Sequence, residues 1–234
     1  MLGDFKRFYR AMRLKAAEGN MNAEIESIPV PIPQSSSQVV EELKKAFNGS
    51  FDFKIMTFGN NTVIMAFIDG IVDKLLISKS VIEPINAITK EMETDESKKK
   101  IAFVGTKFTS MSVNTELTDF NECINSILSG GTLIFVDGDT TALYLNLQKF
   151  EKRAVEESDS EAITRGSREG FTEVLSVNVT MIRRIIKDSS LVFENMTIGR
   201  QTKTNVAICY MKGVANQEIV DEVRKRLKNI KNEA

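Results

Sequence analysis

The chain has 234 residues, 31 Lys and Arg against 32 Asp and Glu, and 42% hydrophobic residues. It therefore offers no net positive field to a phosphate backbone and holds enough apolar side chains for one or two packed units. Nucleic-acid binding is disfavoured, and no helix-turn-helix, zinc-finger or RNP-like pattern argues for it. Histidine is absent, which removes the usual acid–base group near neutral pH, and the two cysteines have neither zinc-ligand spacing nor the density of a disulfide scaffold.

In chain order, "MLGDFKRFYRAMRLKAA" sets Leu2, Phe5, Phe8, Tyr9 and Met12 near one helical stripe, with Lys6, Arg7, Arg10, Arg13 and Lys15 around it. Two readings stay open: a terminal helix docked on protein, or contact of residues 1–17 with an anionic membrane surface. "IPVPIPQSSS" follows, and its alternating prolines predict an extended tether, so residues 1–36 are expected to add little to folding. No run approaches the ~18 apolar residues that span a bilayer, and no secretion signal is present. The chain as given reads as soluble.

From Ser37 the pattern is globular. "SQVVEELKKAF" predicts a helix with Val39, Val40, Leu43 and Phe47 on one face. "FDFKIMTF" and "TVIMAFID" predict a hairpin turning at Gly59-Asn60-Asn61, residue types that tolerate positive φ. Asp73 to about Met92 reads as two short helices divided near Pro84, "IAFVG" as a strand, and "TDFNECINSILSGG" as a helix stopped by Gly130 and Gly131. "TLIFVDG" and "TALYLNL" predict a second hairpin. It repeats the strand-then-Asp-Gly ending of "VIMAFIDG", as expected of two strands within one sheet.

After Phe150 the sequence becomes charged and loses core periodicity, the mark of a boundary. Beyond it a helix is expected from about Glu169 to Lys187, burying Phe171, Val174, Leu175, Ile182 and Ile186. Next come the strands "LVFENMTIG" and "NVAICYM" and a last helix capped by Asn216, its buried stripe Ile219, Val220, Val223, Leu227 and Ile230. With both alternating faces apolar, "NVAICYM" reads as a central strand covered on both sides, and Cys123 and Cys209 as buried apolar residues. The expected fold class is α/β with an α+β tendency: two small α/β subdomains, each a mixed sheet with flanking helices. The expected divisions are 1–36, the first subdomain 37–150, a connector 151–166, and a second subdomain 167–234, short at its C-terminal end.

Chemistry is sparse. Carboxylate pairs such as Glu156/Glu157 lie in polar sequence with nothing to raise a pKa, and no Gly-rich fingerprint follows a strand. No catalytic residue, metal site or cofactor is expected, and an enzyme is disfavoured. The richest stretch is "RGSREGF". Arg165, Gly166, Arg168 and Glu169 stand where a helix is expected to begin, and glycine permits close backbone approach to free amide donors. The spacing suits an anion or carboxylate seat, a clasp onto Glu157 and Glu161 that makes a joint between subdomains, or a solvated face. The turn "GRQTKT" projects Arg200 and Lys203, which, with Arg183 and Arg184, are the expected partner contacts; Arg200 is also a candidate for the ligand seat or joint.

These same residues carry a resemblance. "EKRAVEES", "ITRGSREGFTEVLSVNVTMIRRIIKDSSL" and "MTIGRQTKTNVAICYMKGVANQEIVDEVRKRL" resemble the amino-terminal domain of the A subunit of GerA-family spore germinant receptors, and "IDGIVDKLLISKSVIEPI" and "ILSGGTLIFVDG" do so more loosely. The resemblance implies two α/β subdomains similar in outline to bacterial substrate-binding proteins, with no catalytic residues. It implies B and C subunits and other A subunits as partners. The longer protein would sit in the inner spore membrane, with this domain on the cytoplasmic, spore-core side. The function it implies is the relay of nutrient sensing to membrane subunits, together with receptor assembly. The competing function is direct binding of a small germinant, an amino acid or sugar, near Arg165, Arg168 and Arg200.

Overall fold

The computed structural model describes residues 29–95, 101–108, 114–148 and 170–230. Almost all of these fall in one compact unit, Val30–Glu151 with Thr172–Ala234. Its centre is a five-stranded antiparallel sheet in the order β1-β2-β4-β5-β3, built from β1 (Phe53–Phe58), β2 (Val63–Ile68), β3 (Asn114–Leu117), β4 (Thr132–Val136) and β5 (Ala142–Leu145). Every residue of β2 and of β4 is buried, as the apolar runs Val63–Ile68 and Leu133–Val136 require when both faces of a sheet are covered.

Alternation along these two strands creates two cores. Val63, Met65, Ile134 and Val136 face α2 (Lys74–Ile77), a π-helical stretch (Ser78–Ile82), α3 (Glu83–Thr94) and α4 (Ile101–Lys107). Ile64, Ala66, Leu133 and Phe135 face α1 (Ser36–Ala46) and α5 (Phe120–Leu128). The first hairpin turns through Gly59, Asn60 and Asn61, all at positive φ, and pairs Phe58 with Val63. The two strands that end in Asp-Gly, β2 and β4, are neighbours in this sheet.

The second part pairs β6 (Leu191–Ile198) with β7 (Thr204–Met211) as an antiparallel hairpin between α6 (Leu175–Ile185) and α7 (Gln217–Lys228) in the chain. The α/β class stands, with antiparallel pairing throughout the described strands where mixed sheets were expected.

Several local expectations are corrected. "IAFVG" is the helix α4: Ile101, Val104 and Phe108 recur at helical spacing on one core, and the Asp139 carboxylate accepts the Ile101 amide at 2.9 Å. β3 adds an edge strand that sequence pattern did not predict. Val30–Ser36 is not a bare tether. Ile32 is 2% exposed, the Phe120 amide donates to Val30 and the Gly138 amide to Gln34, and Asp137 accepts the Ser36 amide. β7 pairs only with β6 among the described strands, so it is not central, and Cys209 is exposed while Cys123 is buried. On α7 only Val220 of the expected stripe is fully buried.

Candidate functional site

Arg183 is the largest fully buried side chain among the described residues, at 0% exposure, near the last turn of α6. It lies there because its face of the helix, with Val179 and Ile186, turns inward, and because the interior offers it a complete set of acceptors. Nε donates to Asp52 Oδ2 at 2.8 Å and Nη2 to Oδ1 at 3.1 Å, a bidentate pair in which Asp52 is itself only 2% exposed. Nη1 reaches the Asp188 carbonyl at 2.9 Å, and Nη2 also reaches the Leu191 carbonyl at 2.9 Å and Ser50 Oγ at 3.2 Å. The guanidinium lies 5.1 Å from the centroid of the Phe193 ring.

Ser50 completes the node. Its hydroxyl donates to Asp52 Oδ1 and accepts the Phe193 amide at 2.9 Å, while the Phe51 amide donates to the Phe193 carbonyl at 3.0 Å. The segment between α1 and β1 is thus bound to both α6 and β6, across more than 130 residues of chain, by a charged network whose groups are all satisfied. A second close approach lies nearby: a Cβ added to Gly70, just beyond β2, would stand 2.2 Å from Thr180 Oγ1 on α6.

The structure disposes of the expected site residues as follows. Arg183, expected as a partner contact, has no exposed surface in this structure and meets only groups of its own chain. Arg184, Arg200 and Lys203 are exposed, and Lys203 holds φ 46 at the β6–β7 turn beside Gly199 at φ 84. Arg165, Gly166, Arg168 and Glu169, with Glu157 and Glu161, lie outside the described residues. The helix they were expected to open begins only at Leu175, after the non-helical Gly170–Val174, and Asn178 closes its start through paired bonds with the Thr172 backbone, at 2.8 and 2.7 Å. Phe171 and Val174, expected in the core, are exposed.

A second ionic cluster ties the hairpin to α7. Arg224 donates to both oxygens of Glu194 at 2.6 Å, Tyr210 donates to Glu194 Oε1, and Asp221 also pairs with Arg224. The Arg224 hydrogen bonds hold the Glu194 carboxyl below its ordinary range against a smaller opposing effect of burial, and Tyr210 adds to the lowering. A carboxyl lowered in the folded state stabilises above its unfolded value of about 4.3 and loses that contribution as pH falls through the folded value. The melting temperature is therefore expected to drop as pH falls below about 5, and the drop to shrink in Arg224→Gln. Equal acid slopes for the two proteins would show that the cluster is not linked to stability.

The Bacillus/Clostridium GerA spore germination protein family matches residues 41–234. Relatives include the "Uncharacterized membrane protein YfkQ" of Bacillus subtilis, 33% identical over 87% of this chain and 39% of its own length, and "Spore germination protein KA" of the same species, 30% identical over 86% and 37%. The chain thus spans about two fifths of the length of these curated relatives. Among solved structures, the N-terminal domain of the A subunit of the Bacillus megaterium spore germinant receptor GerK3 is similar, with a TM-score of 0.64 and 29% identity over 87% of this chain and 75% of that one. No described helix is long and apolar enough to cross a membrane. The chain belongs to the GerA spore germination protein family.

Proposed function

We propose that this chain acts as the N-terminal domain of a germinant-receptor A subunit, and that it relays nutrient sensing to membrane subunits by moving as one body across the Arg183 joint. The carrying observation is the buried bidentate pair between Asp52 and Arg183, which locks α6 and β6 to the central sheet. Such a pair has one good geometry, so displacement of the β6–β7 hairpin is passed to the sheet and not absorbed. Exposed Arg200 and Lys203 at the hairpin tip, with exposed Arg184, serve as contacts with B, C or other A subunits. The intact receptor would sit in the inner spore membrane, with this domain on its cytoplasmic side. The names of the GerA-family relatives support the receptor reading.

The test is a titration of the chain with amino acids and sugars, followed by amide NMR. The relay reading expects no saturable shifts. Saturable shifts in one cluster of residues would replace it with direct germinant binding.

A further inference from the structure

The turn that leads from α1 into the Arg183 node contains the one Asn-Gly pair of the sequence, Asn48-Gly49. Asn48 holds φ 53 and Gly49 φ 72, between two buried residues, Phe47 and Ser50. Those neighbours are pinned: the Phe47 amide donates to the Leu43 carbonyl and the Ser50 amide to the Phe47 carbonyl, each at 3.0 Å. The peptide group between Asn48 and Gly49 is not. Among the described residues neither the Asn48 carbonyl nor the Gly49 amide has a hydrogen-bond partner, Gly49 is exposed, and a Cβ built on it would meet nothing within 4 Å. The Asn48 side chain is itself held loosely, Nδ2 donating to the Ala46 carbonyl at 3.2 Å and to the Ser189 carbonyl at 3.4 Å, both long for such bonds.

We propose that Asn48 is a site of spontaneous deamidation, and that its conversion to an acid loosens the joint from within. The Gly49 nitrogen gives its proton to water and attacks Asn48 Cγ, and the new N–C bond closes a succinimide ring. The Cγ–Nδ2 bond breaks, and the nitrogen takes up a proton and leaves as ammonia. Water then adds to one of the two ring carbonyls and reopens the ring, to aspartate or, where the backbone carbonyl is attacked, to isoaspartate. Water is the one co-reactant, and nothing is oxidised or reduced. The attack needs an unhindered nitrogen and a peptide plane free to rotate, which glycine supplies without steric cost. Asn61, in the first hairpin turn, lacks both: the next residue is Thr62, whose amide is tied to the Gly59 carbonyl at 3.0 Å. The consequence follows from what Asn48 touches. Its amide bridges the α1–β1 turn to Ser189, beside Asp188, whose carbonyl takes Arg183 Nη1 at 2.9 Å. A carboxylate accepts and cannot donate, so it repels the Ala46 and Ser189 carbonyl oxygens, and isoaspartate also lengthens the main chain just before Ser50. Both products push apart the two segments that Arg183 holds together. The inference rests on the geometry of the joint and is independent of the relay.

Peptide mass spectrometry of the 234-residue chain, kept folded in warm, mildly alkaline buffer and sampled over weeks, tests the site against the free peptide "KAFNGSFD". Asn48 is expected to convert at least about tenfold faster than the other asparagines of the folded chain, and within about tenfold of the rate in the peptide. Two variants test the consequence. Asn48→Asp supplies the charge without ageing, whereas Asn48→Gly tolerates φ 53 and loses the same two bonds with no charge. Asn48→Asp should lower the urea midpoint and shift the amide signals of Ser50–Asp52 and Ser189–Leu191. Asn48→Gly should shift them less and show no mass change on ageing at this position. An Asn48 that stays intact in the folded chain while the peptide converts, or an Asn48→Asp chain with the midpoint and amide signals of the wild type, would overturn the proposal.

Discussion

Replacing Arg183 with methionine is expected to lower the stability of the chain by about 3 to 5 kcal/mol, the usual cost of removing one member of a buried ion pair. The loss has a stated origin. Asp52, 2% exposed, is left without its bidentate partner, the buried Leu191 carbonyl loses a donor, and the part-buried Asp188 carbonyl loses one as well. Removing both charges in Asp52→Leu/Arg183→Met should recover part of that loss, because no buried charge then stands alone, while the two carbonyls still lack a partner at about 1 to 3 kcal/mol. Urea unfolding of the wild type, the single variant and the double variant gives the three values. The relay predicts a further separation: in spores carrying the full receptor at normal level, germination should fail with the double variant as well as the single one. An apolar contact fills the space but does not fix the orientation of α6. A double variant that restored both stability and germination would reduce the pair to a packing device and remove the joint from the mechanism.

Much of the scaffold was legible because its residues obey one rule at a time. Val63–Ile68 and Leu133–Val136 are apolar throughout, and only a sheet covered on both faces satisfies such runs; Gly59-Asn60-Asn61 and Asp137-Gly138 mark the turns through their tolerance of positive φ. Asp119 and Asn216 cap α5 and α7 as their residue types suggest. What failed to show was whatever depends on residues distant in the chain. "IAFVG" looks like a strand until Asp139 is seen to cap it. A candidate joint was read in the arginine-dense "RGSREG", which lies outside the described residues, since local density of charge is visible in a sequence and burial is not. Arg183 occupies an inward position of an amphipathic helix beside Val179 and Ile186, and its place on that face was the one available signal. Its partner Asp52 sits in the ordinary-looking "GSFDF", and no spacing connects the two.

Gly70 to alanine is the complementary expectation, acting on the same joint from the side of the sheet and without touching a charge. At φ 91 the backbone lies where an L side chain is strained, at about 1 to 3 kcal/mol. The new Cβ would also stand 2.2 Å from Thr180 Oγ1 and 3.4 Å from Thr180 Cβ. Thr180 Oγ1 is held to the Ser176 carbonyl at 2.8 Å, so the hydroxyl cannot simply rotate away without giving up that bond, and α6 must shift or the turn must open. The summed cost is expected at about 2 to 6 kcal/mol. A cycle with Thr180→Ala divides it: the second substitution removes the clashing oxygen and leaves an ordinary carbon contact, so the double variant should retain only the backbone strain. Arg183 lies three residues further along α6, less than one turn, so a displaced helix also pulls the guanidinium from Asp52. Gly70→Ala should therefore broaden the amide signals of Ser50–Asp52 and Leu191–Phe193 together, and Gly70→Ala/Thr180→Ala should sharpen them again. Signals that stay sharp in the single variant despite a measured loss of stability would place the strain in the turn alone and show that α6 is held by Arg183 independently of the contact at Gly70.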